Sequence, residues 1–321
     1  MGSTPPRTTK FKSSTSGGVV LRINSLPDYQ KGAGMKKKAK KAKKKSFNSV
    51  LGALMVVLGG LAVVLFLFLG RAESYDYIVE TNAFFAPFEF YEGRKIVGVD
   101  IEIIDRVAKK LDAKIDVKNV EFDVIIDNVA NGAIADAGAA GLTITPARAE
   151  KVDFSIPYYT SVQYAIFAPG TIETRGEYVV WEALAGKKLG TQTGSTGYLF
   201  MSDEIESGAL AGTDTEVKGF DSHQLAADAI FSHIVDVAIA DELAAEFIVA
   251  KNPGLVALPL YYTSDAGDYP VEESYAIAVN KDKPELLAAF NEVLTEMLKV
   301  GPDGQSEIDK LILKYMGLTD E

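Results

Sequence analysis

The chain contains no cysteine in 321 residues. That absence excludes a disulfide framework, a thiolate zinc site and a lipid-accepting cysteine at the end of an apolar segment. Histidine is nearly as scarce, with only His223 and His233, and their ten-residue separation suits neither a helical metal pair nor a catalytic dyad. There is no Gly-x-Ser-x-Gly elbow and no dinucleotide glycine fingerprint. No metal or cofactor is therefore expected, and catalysis has little support. Net positive charge is lacking where the chain reads as globular: residues 1–48 carry +12 and the whole chain −11, which leaves −23 for residues 49–321. Nucleic acid is excluded as a partner of that part.

What is present first is a long uncharged run. Residues 49–69 hold 21 consecutive residues without a charge, enough to span a hydrocarbon core of about 30 Å. Eight lysines lie between Met35 and Lys45. By the positive-inside rule they put the N-terminus in the cytoplasm and residues 70–321 outside, and they would touch anionic lipid, so residues 36–69 are the expected membrane contact. A signal peptide cleaved near Ala72 is the alternative, giving a secreted or periplasmic product. The run is longer than the usual signal core of about 7 to 15 residues, which favours an uncleaved single-pass anchor. Residues 1–34, rich in Ser, Thr, Gly and Pro without apolar periodicity, read as a disordered tail; 35–48 are the polybasic flank and 70–76 a linker.

Beyond the linker, strand and helix patterns alternate. Tyr75 to Glu80 reads as a strand, while Val99, Ile103, Ile104, Val107, Ala108 and Leu111 recur at helical spacing. Ile115 and Val117 alternate as a strand, Val124 to Val129 suits a short helix, and Ala135 to Gly141 is a buried strand of small residues. Such β-α-β order implies a parallel sheet covered by helices on both faces. The grammar repeats from Lys187 to Leu258, so a second lobe is expected. Strands near Tyr164 to Ala168 and Tyr275 to Asn280 would cross between lobes, giving 77–166 with 275–321 as lobe 1 and 167–274 as lobe 2. Helices at Pro284 to Val300 and Ser306 to Tyr315 would return to lobe 1.

One arginine breaks a local rule. Thr145 reads as an N-cap and Pro146 as the first helical residue, so Arg148 is the third. An acid there would suit the positive end of the helix dipole; a cation does not. With free helical N–H groups and the Thr143 hydroxyl, its guanidinium forms a donor-rich socket suited to one carboxylate. A surface ion pair with Glu150 or Asp153 explains the same residue equally well. Gly194-Ser-Thr-Gly197 follows a strand and opens a helix, offering N–H groups to an anion, although a plain strand-to-helix turn is the simpler reading. Asp241 ends the strand Val235 to Ala240 and reads, taken singly, as an N-cap.

Four blocks occur in order: Thr81-Asn-Ala-Phe-Phe-Ala-Pro-Phe-Glu-Phe90 leading to Ile96-Val-Gly-Val-Asp-Ile-Glu102, Thr143 to Ser155, Gly186 to Thr196, and Val235-Asp-Val-Ala-Ile-Ala-Asp241. Together they resemble the family 3 extracytoplasmic solute-binding proteins, the polar amino-acid receptors of ABC importers, over roughly residues 76–318. The resemblance implies an α/β, two-lobed clamshell of the type II periplasmic-binding-protein kind, preceded here by the transmembrane or signal segment. Many such receptors of Gram-positive bacteria are lipoproteins, and the missing cysteine is a departure from that pattern.

The resemblance also implies roles. Arg148 with Thr143 on one lobe, and the turn ending at Thr196 on the other, would hold the ligand's carboxylate. Asp241, helped by the backbone at Ala140 and Gly141, would take its α-ammonium. Phe85 and Phe122 would enclose the side chain, with Asn82 and Gln192 at its tip. Receptors for lysine, arginine and ornithine place an aspartate where this chain has Asn82, so a neutral polar amino acid is expected. The expected product is a monomeric receptor serving an ABC permease. Two other classes share the fold: cyclohexadienyl or arogenate dehydratases, with Asp241 or Glu242 cast as the acid, and sensory ectodomains, which the lack of a second apolar span disfavours.

Overall fold

The computed structural model describes residues 74–318 together with Met55 and Leu58. Among the described residues no helix is long and apolar enough to cross a membrane. The expected tail, polybasic flank and membrane segment at 1–34, 35–48 and 49–69 lie outside the described residues, apart from those two positions.

Residues 73–321 form one compact unit. It begins with strands β1 (Tyr77–Thr81), β2 (Phe84–Phe85), β3 (Glu89–Glu92) and β4 (Lys95–Val97), then helix α1 (Val99–Leu111). Strand β5 (Ile115–Asn119), helix α2 (Ile125–Asn131), strand β6 (Ala137–Gly138), helix α3 (Pro146–Lys151) and strand β7 (Asp153–Phe154) follow. The first lobe's sheet has the order β5-β1-β6 and is completed by β16 (Ala278–Val279) and β7. Its β1 pairs parallel with β5 and β6, and β16 pairs antiparallel with β6 and β7.

The helical periodicity around Val99 is realised in α1, whose Val99, Ile103, Ile104 and Val107 are buried while Glu102 at its start and Lys109 and Lys110 at its end match the helix dipole. Gly98 precedes it at φ 133°, and a Cβ there would meet the Phe88 carbonyl oxygen at 2.1 Å. Only glycine permits that approach of α1 to the segment leading into β3.

Strand β8 (Tyr159–Phe167) leads out of the first lobe. Beyond it lie β9 (Val179–Val180), β10 (Lys188–Gln192), α4 (Thr196–Glu206), β11 (Glu216–Phe220), α5 (His223–Phe231), β12 (Val237–Asp241), α6 (Glu242–Lys251), β13 (Val256–Tyr262) and β14 (Tyr269–Pro270). The second sheet runs β11-β10-β12-β8-β13-β14. Gln163 to Phe167 pair with β12, so β8, the strand in which the expected boundary at 166/167 falls, joins the second sheet over that stretch. The return path is β15 (Glu272–Tyr275), which pairs antiparallel with the start of β8. These two strands form the hinge. The terminal helices α7 (Pro284–Met297) and α8 (Glu307–Met316) pack against α1, tied by Lys110 to Glu292 and Arg106 to Glu307 ion pairs. An aromatic cluster of Phe85, Phe88, Tyr158, Tyr159 and Tyr275 fills the space beside the hinge.

Candidate functional site

Helix α3 places Arg148 as the sequence suggests. Thr145 accepts from the Arg148 backbone N–H at 3.2 Å, and Pro146 occupies the first turn. The side chain is only 8% exposed and pairs with neither Glu150 nor Asp153. Instead Nη1 donates to the Thr143 carbonyl at 2.9 Å, Nη2 to the Gly194 carbonyl at 3.1 Å, and the guanidinium lies 5.6 Å from the Phe122 ring centre. The surface-pair reading is thereby removed. Burial pushes the Arg148 pKa down, while Glu273 and Asp241 pull it back up.

Gly194 belongs to the second lobe and presses on the first. Its φ is +74°, and a Cβ would approach Asp123 Cβ to 2.7 Å. Ser195 caps α4 by accepting from the Tyr198 N–H, and Thr196, the first residue of that helix, is buried. Thr143 and Thr196, one from each lobe, converge on a residue that pattern reasoning missed: both hydroxyls donate to Glu273 Oε2, at 2.6 and 2.7 Å. Gln163 Nε2 donates to Glu273 Oε1 at 2.9 Å and also to Asp241 Oδ1. The Tyr275 hydroxyl donates to Asp241 Oδ2.

Asp241 does sit at the start of α6, but its side chain makes no capping bond, so the simple cap reading fails. Its carboxylate points into the hinge with that of Glu273. Burial raises the pKa of both, and the nearby Asp241 charge raises Glu273 further, against the lowering contributed by the Tyr275, Gln163, Thr143 and Thr196 donors. The pair favours holding a proton, and Arg148 is the cation that acts on both. Gln163 lies on β8, and Glu273 and Tyr275 on β15; both strands start before the crossings expected near Tyr164 to Ala168 and Tyr275 to Asn280, so Gln163 and Glu273 fell just outside them, and polar residues on strands passing behind a cleft are the signal that would have found them.

The expected tip residues meet one another. Asn82, at the end of β1, accepts from Gln192 Nε2 at 2.8 Å and donates to the Val120 carbonyl at 2.7 Å. Gln192 also donates to the Asp221 carbonyl at 3.1 Å. Exposed polar surface, the plain alternative for both amides, does not describe them: Asn82 is 1% and Gln192 3% exposed. Outside this pair lies a cavity of about 210 Å³ between the lobes, lined by Glu121, Phe122 and Asp123 on one side and Gln192, Thr193, Phe220 and Asp221 on the other. Phe85 is buried against Phe88, Tyr275 and His223. It also forms the floor under Gly141, whose φ is +54° and where a Cβ would reach the Phe85 ring at 2.5 Å. The Gly141 N–H donates to Asp100 Oδ2 at 3.1 Å.

Among the described residues no group of three or more His, Asp or Glu side chains could hold a metal ion. His223 is buried, its pKa lowered to about 4 by burial, so it is neutral at pH 7. The ensemble is a buried, donor-rich site with the Arg148 cation and the Asp241 and Glu273 carboxyls, suited to holding a zwitterion.

The family described as bacterial extracellular solute-binding proteins, family 3, matches residues 77–317. The chain is 30% identical to the arginine-binding extracellular protein of Bacillus subtilis, over 74% of this chain and 85% of that protein. Among solved structures it is similar to an amino acid ABC transporter substrate-binding protein from Streptococcus pneumoniae bound to L-arginine, with TM-score 0.64 and 28% identity over 75% of this chain and 94% of that one. It is also similar to an ancestral arginine-binding protein bound to glutamine, with TM-score 0.61 and 35% identity, covering 75% of this chain and 97% of that one.

Proposed function

This chain belongs to the bacterial extracellular solute-binding proteins of family 3, and from that premise we propose that it captures one L-α-amino acid between its lobes and presents it to an ABC permease. The observation that carries the reading is the buried Arg148 beside Thr143 on one lobe, facing the Gly194 to Thr196 turn of the other. Arg148 takes the ligand carboxylate by charge-assisted hydrogen bonds, in exchange for its backbone carbonyl partners. Asp241 takes the α-ammonium, with Glu273 behind it and the Ala140 and Gly141 carbonyls at the side. Phe85 and Phe122 flank the side chain. Because the ligand touches both lobes, it stabilises the closed form more than the open one, and closure is a population shift.

The side-chain tip is read by Asn82 and Gln192, two neutral amides joined by one hydrogen bond and tied to the Val120 and Asp221 carbonyls. Burying an unpaired charge against them would cost several kcal/mol, so a neutral polar amino acid fits best. A cationic side chain is the second reading, favoured by Glu121, Asp123 and Asp221 around the adjoining cavity. The similar proteins described above, named for or bound to arginine or glutamine, suit either. The uncharged run at 49–69 and its lysine flank support membrane anchorage with the binding unit outside the cell.

Thermal melting of residues 73–321 against the twenty L-amino acids tests this reading. A saturable rise with asparagine, glutamine, serine or threonine is expected; a rise confined to lysine, arginine and histidine would select the second reading. In Asp241→Asn the rise should fall strongly for free amino acids and little for N-acetylated ones, since only the former present a cation. Turnover of prephenate or arogenate that Asp241→Asn or Glu242→Gln abolishes would replace the receptor by the dehydratase.

A further inference from the structure

Behind the loop that carries Ala140 and Gly141 lies a second pair of acids, outside the ligand cleft. Glu89 on β3 and Asp100 in the first turn of α1 are both 0% exposed. Asp100 is well supplied with donors: the Tyr158 hydroxyl reaches Oδ1 at 2.6 Å and the Gly141 N–H reaches Oδ2 at 3.1 Å. The positive end of α1 adds to them. Glu89 is not: neither of its oxygens accepts a hydrogen bond, although it lies against Asp100. No lysine, arginine or histidine is bonded to either carboxyl among the described residues; the groups facing them are each other and Tyr158.

A buried carboxylate with no donor and an anion beside it is untenable, whereas a carboxylic acid in the same place has one O–H to give and one neighbour able to accept it. We propose that Glu89 is a neutral acid donating to an ionised Asp100, and that this pair positions the binding loop by fixing the Gly141 N–H. The left-handed turn at Gly141 brings its backbone onto the Phe85 ring; Ala139 and Leu142 on either side are held by backbone bonds to Glu80 and Ala276, and at Gly141 itself, which has no side chain, the N–H to Asp100 sets the height of the turn above the floor. Glu89 is thus a positioning residue, acting through Asp100 and never touching ligand. Burial pushes Glu89 well above the usual carboxylate range, while the Tyr158, Gly141 and Glu89 donors limit Asp100 to about 6.

The meaning of the loop rests on the amino-acid reading above, but neither readout of the test uses a ligand, so the two can fail separately. Infrared spectra of residues 73–321 with labelled glutamate, recorded at pH 7, should show the carbonyl band of a protonated carboxylic acid that disappears in Glu89→Gln. The Gly141 amide proton shift, followed by NMR against pH, should titrate with Asp100. Removing the donor in Glu89→Met should move that midpoint up by about one pH unit, and Glu89→Gln, whose amide still donates, should restore it. If Glu89 were instead an anion, losing its charge would move the midpoint down. A downward shift, or a spectrum unchanged in Glu89→Gln, overturns the proposal; if Glu89→Met does not fold, the infrared comparison decides.

Discussion

Arg148 shows how a residue that is wrong for its helix can be right for its protein. A cation in the first turn of α3 opposes the helix dipole, yet burial beside Glu273 and Asp241 gives it a compensating field. Those two carboxylates carry a consequence of their own. Glu273 is raised from 4.5 to about 8, so the folded protein holds its proton more tightly than the unfolded chain. The stabilisation is complete below about pH 4.5 and is lost as pH rises through about 8. Ligand-free protein should therefore melt at progressively lower temperature between those values. Glu89 and Asp100 tilt the curve the same way, so the diagnostic is the difference from Glu273→Gln, which should melt with a shallower pH slope. Parallel curves would place the ionisation elsewhere. The ammonium of a ligand favours the ionised pair, so affinity should rise over the same window.

At the scale of elements, the alternation of strand and helix was legible because each element carries its own period: the Val99 to Val107 stripe specifies α1, and Thr145 with Pro146 specifies the start of α3. The placement of Arg148 in the first turn of α3 and of Thr196 at the start of α4 was legible for the same reason, since caps and turns are local. Glu273 and Gln163 were not. Their partnership spans 110 residues and exists only because β15 pairs with β8, and no local pattern encodes that pairing. Gly194 offers a test at this scale. An alanine there meets both the left-handed backbone penalty, about 1 to 2 kcal/mol, and Asp123 of the opposite lobe, the latter only when the cleft is closed. Gly194→Ala should weaken ligand binding about tenfold or more while lowering the ligand-free melting temperature modestly. Unchanged affinity would mean that the lobes do not close on this turn.

The whole molecule joins a binding unit of two lobes to an uncharged run that reads as an anchor. Expressed with a C-terminal tag, the full chain should pellet with membranes, resist high-salt extraction and expose only its C-terminal side to external protease; a soluble product beginning at Glu73 would make residues 49–69 a cleaved signal. The central claim, however, concerns the cleft. Calorimetric titration of residues 73–321 with the twenty L-amino acids, in the wild type and in Arg148→Lys, tests it most directly. We expect one-to-one binding of a neutral polar amino acid and a loss well over tenfold in the variant, because lysine keeps the charge but not the planar fork. No heat from any amino acid, or equal affinity in the two proteins, would contradict the account.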